Sequence, residues 1–273
     1  MPQFIQIEKK ETVVYVTLNR PEVRNAFHPQ MIEEITEVFH GISAEKPRPR
    51  GIVLKGNGKV FCAGADLNWM QEMVNYNFIE NKKDSEKLYN MFAAIRNCPV
   101  PVIAAVQGAA MGGALGLIAA CDYVIADKDT QFSFSEVKIG LVPAVISSFI
   151  LSKTVAGIVS PLMMFGDVFR IEKALQCGLV HESVNNINSQ SDVSEEASEL
   201  LRSRVEDRLK SILNAGPEAI SETKKLISLL PNLTWAEHRD HTTRIISERR
   251  MSSEGQEGLK SFLMKGVPSW RKK

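Results

Sequence analysis

Gly108-Ala109-Ala110-Met111-Gly112-Gly113-Ala114-Leu115-Gly116-Leu117 sets small residues and a Gly-Gly pair directly ahead of an apolar, helix-like run. A second small-residue turn, Phe61-Cys62-Ala63-Gly64-Ala65-Asp66-Leu67, lies upstream. One glycine-rich segment marks only a turn or a close backbone approach. Two of them, each after a predicted strand and opening a helix, can aim two backbone N–H groups at one developing negative charge. That pairing points to an enzyme. The competing explanation for such turns is tight helix–strand packing that needs small residues.

The segments around the turns alternate. Residues 12–18 are β-branched and predict a strand, and Met31, Ile32, Ile35, Val38 and Phe39 then share one helical face. A short strand is expected at 51–56, a helix at 85–96, a strand at 101–106, a helix at 112–120 and a strand at 123–126. Strands alternating with helices predict α/β architecture with crossover connections. Past residue 150 the strand signal nearly vanishes, and 147–155, 171–177, 193–213, 216–230 and 234–250 read as helices. The polar stretch 188–198 reads as a mobile connection. We therefore expect an α/β core over 1–185 and a helical C-terminal region over 186–273.

The 273 residues are 44% hydrophobic and 24% charged, ordinary for a globular chain, with 33 basic against 32 acidic side chains. No polybasic block argues for nucleic acid or a membrane surface, and apolar runs are too short to span a bilayer. The N-terminus enters strand-like alternation at once, without a secretory or transit pattern, so a cytoplasmic location is expected. Cys62, Cys98, Cys121 and Cys177 lack zinc spacing and read as free buried thiols. His238 and His241 read as a solvated helix face, so no metal is expected. Neutral charge without a basic-aromatic stripe also argues against an RNA-binding role.

An acid stands out in Phe132-Ser133-Phe134-Ser135-Glu136-Val137. Burial among aromatic and β-branched neighbours would raise the Glu136 pKa and suit it to proton transfer near neutrality. The alternative is an ordinary glutamate in a first helical turn.

Taken together, these residues resemble the crotonase superfamily, the enoyl-CoA hydratase/isomerase family, over essentially the whole chain. The resemblance rests on Leu18-Asn19-Arg20-Pro21-Glu22, Asn25-Ala26-Phe27 and both glycine-rich turns. Cys121-Asp122, Ser135 to Leu141, Glu254 to Leu259, Phe262-Leu263 and Pro268-Ser269-Trp270 extend it. Residues 65–70, 113–117 and 142–147 are similar to the bacterial methylglutaconyl-CoA hydratase group, which handles branched acyl chains in leucine and acyclic terpenoid breakdown. The resemblance implies a ββα spiral core, a C-terminal trimerisation region and homotrimers, often paired as hexamers. It also implies an acyl-CoA substrate and no cofactor, because the thioester is itself the electron sink.

By the same resemblance the amides of Ala65 and Gly113 stabilise an enolate and Glu136 moves the proton at C2. Glycine at 113 is expected to spare the approaching carbonyl a Cβ. Arg24 would reach the CoA phosphates, the Ala63 carbonyl the adenine, and Asp66 and Leu67 would line the turn. Trp69 and Met70 would wall the acyl pocket beside Gly116. Phe262 and Lys265, supplied by the same or a neighbouring subunit, would complete the adenine and phosphate pocket. For Arg24 and Lys265 the alternative is an exposed cation; for Trp69 and Met70 it is simple core. One departure matters: two-carboxylate hydratases carry a second glutamate where this chain has Gly116. That loss leaves open hydration of a branched substrate, Δ3–Δ2 isomerisation and decarboxylation. Ala144, where an aromatic dehalogenase would carry Asp, argues against that activity.

Overall fold

The computed structural model describes residues 2–184 and 195–271. Its strands are β1 (Ile5–Lys10), β2 (Val13–Leu18), β3 (Gly51–Gly56), β4 (Val102–Val106), β5 (Ala109–Met111), β6 (Tyr123–Asp127), β7 (Gln131–Ser133) and β8 (Glu182–Val184). Six of them form one sheet in the order β1-β2-β3-β4-β6-β8, while β5 and β7 pair separately. Only β1 and β2 are antiparallel, with Ile5 opposite Leu18; every later pairing is parallel. Parallel neighbours require crossovers. These are α1 (Pro29–Ala44), then α2 (Leu67–Met73) with α3 (Phe78–Asn97), then α4 (Ala114–Ala120).

The sheet is covered on both faces, which explains its nearly unbroken apolar strands. Val14, Val16, Ile52, Leu54, Val102, Ala104 and Val124 point into the main core with α1, α3 and α4. The alternate positions Val13, Val53, Ile103, Ala105 and Ile125 form a second layer. In α1 the predicted face is buried at Met31, Ile32, Ile35 and Phe39, with Val38 half-buried. Helix α3 starts earlier than its apolar pattern predicts, because Asn77 and Glu80 form a capping box ahead of solvent-facing first turns.

Beyond the core come α5 (Ala144–Lys153), α6 (Ala156–Phe165), α7 (Ile171–Gln176), α8 (Glu195–Leu213), α9 (Pro217–Leu229), α10 (Trp235–Met251) and α11 (Ser253–Leu263). Of the expected connection 188–198, residues 188–194 lie outside the described residues, and 195–198 belong to α8. Leu201, Val205 and Leu209 lay one face of α8 onto the second core layer, joining it to the sheet. By contrast α9, α10 and α11 contain no buried residue. Hydrogen bonds tether them: Arg50 donates to the carbonyls of Leu213, Ala215 and Trp270. Lys224 on α9 pairs with Asp122 at 2.6 Å.

Candidate active site

The two glycine-rich turns meet. Residues 61–62 run alongside β5 in parallel, with Cys62 N–H donating to the Ala109 carbonyl and Met111 N–H to that of Cys62, both at 3.2 Å. Contact is so close that a Cβ on Gly64 would sit 2.7 Å from the Met111 oxygen and 3.8 Å from the Gly113 nitrogen. Gly64 also needs φ +91°, in the left-handed region that favours glycine. Phe27 donates to the Gly64 carbonyl and Asp66 to that of Phe27, so the chain passes from Gly64 to Asp66 without using the Ala65 N–H. Neither the Ala65 nor the Gly113 amide has an acceptor among the described residues. Two N–H donors in neighbouring turns are therefore left without an acceptor, and an oxyanion hole is built from donors of this kind.

A carboxyl group stands beside them. Gly112 donates to the Ser133 carbonyl at 2.8 Å, drawing β7 and the 3-10 turn Ser135–Ile139 against the second glycine-rich turn. A Cβ at Gly112 would lie 3.3 Å from Glu136 Oε1. The other oxygen, Oε2, is buried without a hydrogen-bond partner. Burial pushes the Glu136 carboxyl above its ordinary range, partly offset by its own backbone N–H. A carboxyl oxygen buried without a partner is costly to keep in a fold, and such a group is well suited to carrying a proton.

The motif around residues 18–27 scaffolds this site. Asn25, wholly buried at φ +54°, accepts from the Arg20 N–H and donates to the carbonyls of Asn57 and Val60. Arg20 forms a 2.9 Å ion pair with Asp66, both side chains largely shielded. Asp66 also caps α2 through the Asn68 N–H. Burial opposes its charge, but the Asn68 amide and Arg20 outweigh that and hold its pKa below the usual value. Asp66, expected at the substrate, thus spends both carboxylate oxygens on the turn itself. Arg20, Asn25 and Phe27 support the site through partners on distant segments, which residue type alone does not mark.

Packing gives two of these glycines a reason beyond the expected one. The missing Cβ of Gly113 points at the Phe27 ring, 2.5 Å from Cζ, so packing by itself excludes a side chain there. Gly116, expected beside the acyl pocket, is enclosed: a Cβ there would lie 2.6 Å from both Ile146 Cγ2 and Phe92 Cζ. Both side chains are buried, so the room for a second glutamate is occupied.

Arg24 is exposed at φ +55°, and its carbonyl accepts from Ala63 N–H at 3.0 Å, bringing these two together at the rim of the turn. The Ala63 carbonyl has no acceptor role among the described residues. Leu67 is 76% exposed, whereas Trp69 is buried against Phe27. Phe262, on α11, is 82% exposed, and Lys265 lies just beyond that helix, which packs on α9 and α10 rather than on the glycine-rich turns. Burial pushes the Cys62 thiol up to about 12, which favours the neutral thiol over a thiolate in the turn. Among the described residues no group of three His, Cys, Asp or Glu is placed to hold a metal. None of the described helices is long and apolar enough to cross a membrane.

Comparison with known proteins agrees with this geometry. The sequence profile of the family described as Enoyl-CoA hydratase/isomerase matches residues 8–273. An enoyl-CoA hydratase structure from Shewanella pealeana is 32% identical with a TM-score of 0.89, covering 98% of this chain and 96% of that one. The Pseudomonas aeruginosa protein AtuE superposes with a TM-score of 0.91 at 27% identity, covering 99% of this chain and all of that one (100%). A trans-2-decenoyl-[acyl-carrier-protein] isomerase from Streptococcus mutans is 28% identical over 261 residues, 94% of each chain. The fold is crotonase-like, and the chain is an enzyme that belongs to the enoyl-CoA hydratase/isomerase family.

Proposed function

We propose that the enzyme adds water across the double bond of a branched, methylglutaconyl-CoA-like enoyl-CoA. One observation carries the reading: the half-buried Glu136 carboxyl, unpartnered at Oε2, stands beside two turns whose Ala65 and Gly113 amides lack acceptors. The thioester oxygen binds between those amides. As water adds at C3, the C2=C3 electrons move onto that oxygen, where each donor lowers the barrier by roughly 2.7–4 kcal/mol. Glu136 gives its proton to C2 and takes one from the attacking water, and burial, which raises its pKa, favours the protonated form from which hydration starts. The acid is regenerated and no cofactor is required. Arg24, the Ala63 carbonyl and Leu67 serve the CoA portion at the rim, Phe262 and Lys265 reach that pocket from a neighbouring subunit, and Trp69 walls the acyl group.

A second reading is Δ3–Δ2 isomerisation, in which Glu136 removes a proton at C2 and returns it at C4. Its support is specific: Phe92 and Ile146 fill the space of a second carboxylate, and a whole-length relative is named as an isomerase. We also propose that residues 186–273 hold a homotrimer or a hexamer of paired trimers together. Trp235, Met251, Phe262 and Leu263 are largely exposed on helices without a buried residue of their own, and Met264, just past α11, is exposed as well. A panel of acyl-CoAs followed by mass spectrometry tests the chemistry. Water gain supports the hydratase, an unchanged mass with a moved double bond supports the isomerase, and loss of CO2 refutes both.

A further inference from the structure

Ser135 meets Glu136 at one point. A Cβ on Gly112 would lie 3.4 Å from Ser135 Oγ and 3.3 Å from Glu136 Oε1, so two consecutive side chains converge on the gap that glycine leaves. In a 3-10 turn neighbouring side chains point about 120° apart, so the turn alone does not bring these two together over Gly112. Ser135 has no structural task to explain its position. Its residue is exposed, its hydroxyl has no hydrogen-bond partner among the described residues, and it does not cap its own turn. Gly112 itself sits at φ +52°, where a larger residue would be strained as well as obstructive.

We propose that Ser135 Oγ is the second group holding the attacking water, in place of the carboxylate that Gly116 cannot supply. The proposal rests on the hydratase reading above. Water seated over Gly112 donates one O–H to Ser135 Oγ and the other to Glu136, leaving an oxygen lone pair free for C3. The C3–O bond forms as the O–H bond to Glu136 breaks. That proton stays on Glu136, while the proton Glu136 already carried goes to C2. Ser135 neither gains nor loses a proton; it fixes the orientation of the nucleophile.

Two rates separate this role from a structural one. Hydration of 3-methylglutaconyl-CoA needs the water; exchange of the C2 proton of butyryl-CoA in D2O needs Glu136 and the two amides but no nucleophile. Ser135→Ala should slow hydration at least about tenfold while exchange stays within about twofold of the unaltered enzyme. Ser135→Thr, which keeps the hydroxyl, should restore most of the hydration rate. Full hydration by Ser135→Ala, or parallel loss of both rates, would overturn the assignment and leave the hydratase reading standing. An unaltered enzyme that exchanges or isomerises but hydrates neither 3-methylglutaconyl-CoA nor crotonyl-CoA would overturn the hydratase reading and this role with it.

Discussion

Adding one methyl group at Gly113 probes how packing and chemistry are joined. Gly113 has φ −53° and ψ −21°, so alanine meets no backbone obstacle there. Its new Cβ would instead lie 2.5 Å from Phe27 Cζ, and the ring must retreat by about 1 Å to regain an ordinary carbon–carbon contact. Phe27 is 1% exposed and packs within the main core, so that retreat has no open space to use. Overpacking of this kind costs about 1–3 kcal/mol. If the turn moves instead of the ring, the Gly113 N–H leaves its place, and loss of one such donor lowers kcat by about 10²–10³. We expect Gly113→Ala to lower the melting temperature by several degrees and kcat by at least about tenfold, read by thermal unfolding and steady-state turnover of the best acyl-CoA. Phe27→Leu in the same chain should recover much of both losses, because it removes the atom that the methyl group strikes. Failure of that rescue, with both variants folded, would return the explanation to a blocked substrate and refute the steric one.

Glu136→Gln should reduce turnover by about 10²–10⁴ and also change stability with pH. Because burial raises the folded-state pKa of Glu136, its neutral form is tolerated in acid and the penalty grows as pH rises through the folded pKa. The glutamine variant should therefore melt higher than the unaltered enzyme at pH 8 and lose that advantage near pH 4; an advantage independent of pH would contradict the assignment. Gly116→Ala would ordinarily stabilise a helix by about 1 kcal/mol, but the 2.6 Å approaches to Phe92 and Ile146 reverse the sign. A lower melting temperature is expected, and a higher one would show that the space beside Gly116 is open.

The legible parts of the fold are those in which local pattern and tertiary role coincide. The Met31, Ile32, Ile35, Phe39 face of α1 is both helically periodic and buried. Strands β3, β4 and β6 have apolar centres because they are covered on both sides, and their flanking turns separate them from helices. Helix α6 carried no such mark: it is apolar nearly all round, contains Pro161 and buries only Val159. Strand β8 is three residues long at a sheet edge, too short for any period to register. Helix α8 was legible as a helix but not as part of the core layer, since which sheet face it covers is set by chain geometry.

The site divides along a similar line. Glycine-rich turns and an acid among aromatics are visible as residue types, but the reasons for them are not. Gly64 and Gly113 are required by neighbours, Met111 and Phe27, that no local spacing connects to them. Packing and catalysis thus do not compete as explanations of these turns. Close packing forces the glycines, and the backbone path they permit leaves the Ala65 and Gly113 amides without acceptors. Among the described residues few buried side-chain polar atoms lack a partner, and one of them, Glu136 Oε2, belongs to the residue packed against Gly112 in the turn that holds one of the two spare donors. The buried carboxyl oxygen would otherwise be a cost to folding, and in the proposed reaction all three groups find their partners when a thioester oxygen and a transferable proton occupy the space beside them.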